Sequence, residues 1–433
     1  MTRVEPWLNG ISIFILATIF LFWDASRAAY VLLSLAALGY LIKYRPQLPR
    51  EQRFYSWPII AYFGATFLSV VYDGLPNLLQ DGLPDSGSNR LVSRFLLLMI
   101  AIPLVGLFYT CFDSRRNQWI KFVLGCIVLG LLALVDILVL DESRAGGGHN
   151  EAAFGFSSAA MTSIVIASYH RFKKVRFGKF IFLVGVLMGL CAMFLSGTRS
   201  SWISMMVVAF IAVMFYLDRI SLTRRVFIAV ALICSIAATG LTIPLVQKRV
   251  DHMIEMVIPY VKGEEQTRFN SLRYRVELWK AGWHIGMSDK IFGIGPGNVK
   301  KALKVYATEN PHLSELRDQN HIHNQFLQTF AMSGLVGLVS LVALLGCHFW
   351  IFSKYLGRRY DPEVRSLALA GFLLLVAYIV YTIPGVPFYG KQYLMIYAFS
   401  SASIWGCLLA ALQQSTTATG ERSYTQGFND KSM

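Results

Sequence analysis

The sequence predicts an all-α polytopic membrane protein, and three observations predict it. The chain has 433 residues, of which 55% are hydrophobic and only 15% charged, with a mean hydropathy of +0.50; a soluble domain of this size is not built from that balance. About twelve apolar runs follow one another, each near the length that crosses roughly 30 Å of hydrocarbon. Lys and Arg alternate between the intervening loops, as the positive-inside rule requires of a chain that weaves through a bilayer. The 14% aromatic share fits rings collected at membrane interfaces.

The runs lie at 7–23, 28–42, 57–72, 91–110, 119–140, 153–170, 179–196, 201–217, 225–243, 326–352, 366–384 and 392–412. The first leads into Trp23-Asp24 rather than a small-residue cleavage site, so it reads as a retained helix. Residues 1–243 are thus expected to hold nine transmembrane helices, 244–325 one large polar loop, 326–412 three further helices, and 413–433 a polar, mobile tail. The six cysteines sit in or beside apolar runs without CxxC spacing, which suggests packing residues rather than a zinc site or disulfide framework.

A net charge of +15 raises the possibility of nucleic acid, but the bases are spread over short loops and form no nucleic-acid surface. One series of loops carries Lys43, Arg45, Arg50 and Arg53; Arg115, Arg116 and Lys121; Arg171, Lys173, Lys174, Arg176 and Lys179; Arg219, Arg224 and Arg225; and Lys354, Arg358, Arg359 and Arg365. The alternate short loops, 73–90, 141–151, 196–200 and 385–391, are poor in bases. The asymmetry places both termini in the cytoplasm and the large loop outside. The large loop is itself basic, but long loops translocate largely regardless of charge.

Inside that loop, Val250, Ile254, Val257 and Val261 recur at helical spacing, as for a segment lying on the membrane surface. Leu272, Val276, Trp279 and Trp283 make a second apolar stripe, with Asn270 or Ser271 as cap and Arg275 off the stripe. The run Gly293-Ile294-Gly295-Pro296-Gly297-Asn298 reads as a helix-connecting turn, since its spacing is neither a P-loop nor a dinucleotide fingerprint.

Three places carry chemistry. Arg199, in Ser196-Gly197-Thr198-Arg199-Ser200-Ser201, opens an apolar run; it reads either as a snorkelling cation or as part of an anion site made of helix N–H groups, hydroxyls and a planar guanidinium. Bidentate phosphate binding prefers Arg to Lys. Arg275 reads either as a solvated helix charge or as a second anion ligand, with Arg268 and Arg273 as competitors. His321 and His323 flank Ile322 at the mouth of the tenth run. They read as a surface pair, as general base and orienting group, or as two metal ligands needing a third from Glu309, Glu315 or Asp318.

Taken together, Gly197-Thr198-Arg199-Ser200, Arg275-x-x-x-Trp279, Gly293 to Asn298, and His323-Asn324-Gln325-Phe326-Leu327-Gln328 before Gly334-Leu335-Val336-Gly337 resemble the O-antigen ligase family. The motifs span roughly 180–345, and the topology matches over the whole chain. The resemblance implies a GT-C-type membrane glycosyltransferase of the bacterial inner membrane with a periplasmic active site. It implies undecaprenyl-pyrophosphate-linked O-antigen as donor and a sugar hydroxyl of lipid A–core as acceptor, with neither metal nor cofactor. Arg199 and Arg275 then become the pyrophosphate ligands and His323 the base, with Ser200, Asn324 and His321 beside the substrates. An O-antigen polymerase or a protein O-oligosaccharyltransferase shares the same core. A transporter is the distant alternative; it would place ionisable groups near mid-span, whereas here they gather at one face and Asp136 lies near the outer end of its run.

Overall fold

A computed structural model describes residues 5–80, 94–111, 117–242 and 271–429, with 244, 246–248, 250–251 and 254–255 between the last two segments. Among the described residues every regular element is a helix. In chain order those longer than six residues are α1 (Glu5–Thr18), α2 (Trp23–Tyr44), α3 (Gln52–Gln80), α4 (Ile102–Thr110), α5 (Asn117–Leu138), α6 (Glu151–Ala167) and α7 (Gly178–Leu195). They continue with α8 (Arg199–Tyr216), α9 (Leu222–Leu241), α10 (Ser271–Ser288), α11 (Val299–Glu309), α12 (Gln325–Ser353), α13 (Pro362–Thr382) and α14 (Lys391–Asn429). Eight of them, α2, α3, α5, α7, α8, α12, α13 and α14, are long and apolar enough to cross a membrane, and Trp7–Thr18, Arg94–Thr110 and Glu151–Ala167 are shorter apolar segments. The protein is a multi-pass membrane protein. Arg268 and most of the 250–261 amphipathic stretch lie outside the described residues.

Three expectations change. The run at 91–110 is not one helix: it stops at Ile100-Ala101 and restarts as α4 with Pro103 in its first turn, because proline removes an N–H donor and restricts the residue before it. Lys121 is not a loop base. It is buried on α5, its Nζ donating to Ser403 Oγ at 2.5 Å and lying 4.4 Å from the Phe108 ring centroid. Beyond Gln413, where a polar tail is expected, α14 is continuous to Asn429, since adding a residue to an existing helix avoids the cost of nucleation.

The core is built around α13 and α14. The whole apolar window of α14 is buried, and α13 packs against α6, α8, α12 and α14. One buried polar link crosses this core. His348 of α12 shares a hydrogen bond with Tyr397 Oη (2.6 Å), contacts the Tyr55 carbonyl (3.2 Å) and stacks on the Tyr55 ring. Buried polar groups of this kind persist only when partnered.

The large loop is fastened to the bundle by glycines. α12 breaks at Gly334 (φ 59°, ψ −157°), and the 293–298 connector docks into the break. Ile294 and Gly295 donate their N–H groups to the carbonyls of Ala331 and Met332 at 3.0 and 3.1 Å. Leu335 and Val336 donate to Lys290 and Ile291 at 2.8 and 3.3 Å. The approach leaves no room for a β-carbon: one on Gly334 would lie 2.2 Å from the Ile291 oxygen, and one on Gly293 2.5 Å from the Met332 carbonyl carbon. The connector is therefore the plug of a broken helix, not a plain turn.

The same principle corrects the face of α10. Its buried residues are Leu278, Ala281, Gly282, Ile285 and Gly286, while Trp283 is exposed. Gly282 and Gly286 bring α10 against Ile322 and Phe330. Arg275, one turn before Leu278 and Trp279, shares this inward face instead of lying off it.

Gly334→Ala is expected to lower the thermal midpoint of the detergent-purified protein sharply. Its backbone region alone costs a non-glycine residue of order 1–3 kcal/mol, before the clash with Ile291. Gly346→Ala, in the same helix with open space around its α-carbon, should be neutral or stabilise by up to about 1 kcal/mol. Equal behaviour of the two in a melting assay would refute the plug.

Candidate functional site

A cavity of about 570 Å³ opens where α8, α10, the turn before α12 and the α13–α14 connection meet. Of the residues singled out by sequence, Arg199, Ser200, Arg275, His321 and His323 line it. Arg273 does not, and Asn324 does not.

Arg199 is the first residue of α8, after Gly197 (φ 64°) and the cap residue Thr198. That turn is braced on all sides. Thr198 Oγ1 donates to the Glu151 carbonyl (3.1 Å), Ser196 Oγ accepts from Thr198 N (3.2 Å), and Arg144 Nε donates to the Ser196 carbonyl (2.8 Å). Arg144 itself lines the cavity and stands 3.9 Å from Glu151. Its loop is held by Asp136, whose carboxylate accepts from the N–H groups of Gly146 (2.9 Å) and Gly147 (2.7 Å). Asp136 is thus a buried loop anchor.

His323 adopts the left-handed region at φ 54°, where His is several-fold enriched among non-glycine residues. Its neighbours pin that conformation. Ile322 N donates to Gln328 Oε1 (2.8 Å), Trp279 Nε1 donates to the His323 carbonyl (3.2 Å), and Asn324 caps α12 by accepting from Leu327 N (3.1 Å). Gln325 Oε1 accepts from Phe388 N (2.9 Å), tying the same turn to the α13–α14 connection. The Arg275-x-x-x-Trp279 spacing gains a physical meaning: Trp279 tethers the histidine turn, and Arg275 lies one helical turn away on the same face. Asn324, expected beside the substrates, sits at the helix cap.

The imidazoles are electrostatically tuned. Burial holds His321 down at about 4. Burial, then the neighbouring His321 and Arg275, holds His323 at about 3. The two rings lie 4.1 Å apart by centroid, and both are neutral at pH 7. Burial also lowers the Arg275 guanidinium from its ordinary value, opposed by the nearby Tyr381. The Tyr381 hydroxyl reaches Ser200 and feels both Arg275 and Arg144, while its ring stacks 4.0 Å from that of Phe156. Among the described residues no group of three His, Cys, Asp or Glu side chains converges as a possible metal site.

The sequence does not single out Arg94, Arg144, Tyr381, Tyr389 or Lys391 for the site, yet all line the cavity. One signal was present for three of them. Arg94, Arg144 and Lys391 are cations at run ends or loops on the face whose short loops are poor in bases, where topology alone gives no reason for a base. The tyrosines carry no such signal.

The arrangement is a water-accessible cavity with several guanidinium groups, hydroxyls and two neutral imidazoles. It suits a polyanion and a proton acceptor. The model of the O-antigen ligase family (Wzy_C) matches residues 181–342, a segment that contains Arg199, Ser200, Arg275, His321, His323 and Asn324. The resemblance to that family is shown over this segment, and it supports a membrane glycosyltransferase of the O-antigen ligase or polymerase kind. An uncharacterized protein of Haemophilus influenzae is 22% identical over 378 residues, covering 86% of this chain and 90% of its own length. The teichuronic acid biosynthesis protein TuaE of Bacillus subtilis is 23% identical over 210 residues, covering 47% of this chain and 41% of its own.

The depressed histidines fix a pH dependence. Their ordinary value is 6.5, so between about 3 and 6.5 the unfolded chain binds more protons than the folded one and stability rises with pH. Thermal unfolding of the ligand-free protein should show a midpoint that falls as pH drops from about 6.5 toward 4. A His321→Gln/His323→Gln double variant should flatten that fall; an unchanged slope would contradict the buried neutral pair.

Proposed function

We propose that the protein is an O-antigen ligase, transferring O-antigen from undecaprenyl pyrophosphate to a sugar hydroxyl of lipid A–core. The observation that carries this reading is the meeting of Arg199, Arg275 and a neutral His323 at one cavity, from three separate elements. In the proposed reaction Arg199 and Arg275 bind the donor pyrophosphate and stabilise the charge that develops as it leaves, the electrostatic term fixed cations supply best. His323 takes the proton of the acceptor hydroxyl. The oxygen–anomeric carbon bond forms as the carbon–oxygen bond to phosphate breaks, the pyrophosphate departs with the electron pair, and attack from the opposite side inverts the anomeric centre.

With its pKa near 3, the imidazole is a feeble base. A pyrophosphate beside Arg275 offsets the cationic field and raises that basicity, so donor binding arms the base. The arginines neutralise the diphosphate, so no metal is needed. Ser200 and His321 contact substrate in this reading, and Asn324 acts through the cap that orients His323.

The topology belongs to the same proposal: a GT-C-type fold of twelve spans in the inner membrane, divided at 243, 325 and 412, with both termini cytoplasmic and the 244–325 loop and site periplasmic. A second reading is a polymerase that extends a lipid-linked glycan with the same donor chemistry; the Bacillus subtilis relative is named only for teichuronic acid biosynthesis and does not choose between the two.

Transfer from lipid-linked O-antigen to purified lipid A–core tests the reaction. Arg199→Ala and Arg275→Ala should each abolish it at normal protein levels. Arg199→Lys should also be poor, because a point charge does not replace a bidentate fork. Arg273→Ala should be mild. His323→Ala should lose at least about a hundredfold while still binding donor, and His321→Ala much less. Loss of activity with a chelator, together with two essential histidines, would replace this mechanism with a metal site. Cells lacking the protein should make rough lipopolysaccharide and accumulate lipid-linked polymer; a single capped repeat would select the polymerase.

Alkaline phosphatase fused after Gly148 or within 300–310 should be active, and fused after Lys174 or at the C-terminus inactive. Activity at Lys174 would invert the orientation and move the site to the cytoplasm.

A further inference from the structure

Beside the site lies a second cavity of about 460 Å³, lined by Trp23, Arg27, Val31, Arg94, Leu96, Leu97, Ile100 and Lys391. Arg94 and Lys391 line both cavities, so the two adjoin. Its walls come from the first turns of α2 and α14 and from Arg94 to Ile100 of the apolar segment before α4. One side is therefore aliphatic, from Val31 to Ile100, and the mouth is cationic.

The three cations are close enough for Arg94 and Arg27 to act electrostatically on Lys391, with Asp24 as the opposing charge. Asp24 also pairs with Arg27 at 3.1 Å, both side chains being largely exposed. Lys391 lies 4.9 Å from the Trp23 ring centroid, and Arg94 lies 5.3 Å from the Tyr389 ring centroid while donating to the Tyr389 carbonyl at 3.4 Å. Among the described residues three cations gather against one carboxylate, an arrangement that a bound anion would stabilise. The N-termini of α2 at Trp23 and α14 at Lys391 add positive partial charge at the same mouth. Aliphatic walls under a cationic rim match a lipid that bears phosphate at its water boundary.

We infer that this second cavity holds the phosphate of a membrane-anchored acceptor lipid, a phosphorylated glycolipid. The word acceptor rests on the transferase reading above. In that reading Arg199 and Arg275 already engage the donor's pyrophosphate, and a transfer between two lipid-borne substrates needs a second anion site within reach of the first. The shared residues Arg94 and Lys391 supply the junction. The acceptor's glycan then extends from the second cavity into the first, toward His323.

The test reads binding, not transfer. Full-length protein in nanodiscs of zwitterionic lipid is titrated with bisphosphorylated lipid A, with lipid A stripped of its phosphates, and with undecaprenyl pyrophosphate, bound lipid being counted by native mass spectrometry. Arg27→Glu and Lys391→Gln should each weaken bisphosphorylated lipid A by about tenfold, the scale of one charge-assisted hydrogen bond. Asp24→Asn should strengthen it, a gain that a merely structural role would not give. The stripped lipid should be indifferent to all three. Arg27 and Asp24 are exposed, so these variants do not threaten folding.

Equal effects on phosphorylated and stripped lipid overturn the inference, as does no effect on either. If undecaprenyl pyrophosphate responds and lipid A does not, the cavity is the donor's and the acceptor assignment falls. Wild-type protein that binds phosphorylated lipid A selectively but transfers nothing to its core-bearing form refutes the transferase reading alone and leaves the phosphate site standing.

Discussion

Leu335 and Val336 give their N–H groups to the carbonyls of Lys290 and Ile291, while Ala331 and Met332 receive the N–H groups of Ile294 and Gly295. This exchange across the broken α12 is the constraint on which the site depends. A break inside an apolar bundle leaves polar backbone groups that hydrocarbon cannot satisfy. Here another part of the chain satisfies them, and that part belongs to the polar loop. The loop is thereby held at a fixed height and rotation against α12. Glycine at 293 and 334 is what lets two backbones come so close.

Everything in the loop inherits its position from that plug. α10 runs into the connector and packs on the first half of α12 through Gly282 and Gly286. Trp279 then meets the His323 carbonyl, and Arg275 falls at the cavity wall. On the opposite side, Asp136 holds the loop that carries Arg144, and Arg144 holds the turn that presents Arg199. The two arginines reach one cavity by independent scaffolds, each anchored by buried hydrogen bonds. Positioning of this kind matters for charge stabilisation, because donors fixed in advance do not have to reorganise as the reaction proceeds.

Much of this was legible in the sequence. Apolar run length gave the helices, and the polar cluster before Phe326 marked where a long one begins, although the motif resemblance sets Asn324 beside the substrates and not at its cap. Arg199 and the His321–His323 pair stood out by residue type and place, whereas the choice of Arg275 over Arg268 and Arg273 came only from the motif resemblance. The face of α10 was not legible, because a hydrophobic stripe marks Trp283 while the true contact is made by glycines that score as neither apolar nor polar. Lys121 was misread for a related reason. A base next to Arg115 and Arg116 counts as loop charge, and nothing local announces the Ser403 hydroxyl and Phe108 ring that receive it. Tyr381 and Tyr389 look like ordinary interfacial aromatics, and only the fold puts them between the arginines and the histidines.

Cations on the base-poor face are the remaining clue, and they divide into two groups. Arg144 and Arg275 act on the Tyr381 hydroxyl and line the first cavity with Arg199, whereas Arg27 lies in the adjoining cavity, with Arg94 and Lys391 at the junction of the two. A single polyanion does not require both. A short pyrophosphate is matched by two or three guanidinium groups, and the cations that continue through Arg94 and Lys391 to Arg27 in the second cavity exceed that need. Two clusters are economical when two anionic partners must be held at once and kept apart until they react. The neutral histidines line the first cavity, where in the proposed transfer the acceptor hydroxyl would lose its proton as its oxygen bonds the anomeric carbon and the donor's bond to phosphate breaks. That charge distribution is what the proposed transfer between two lipid-borne partners would require of this face.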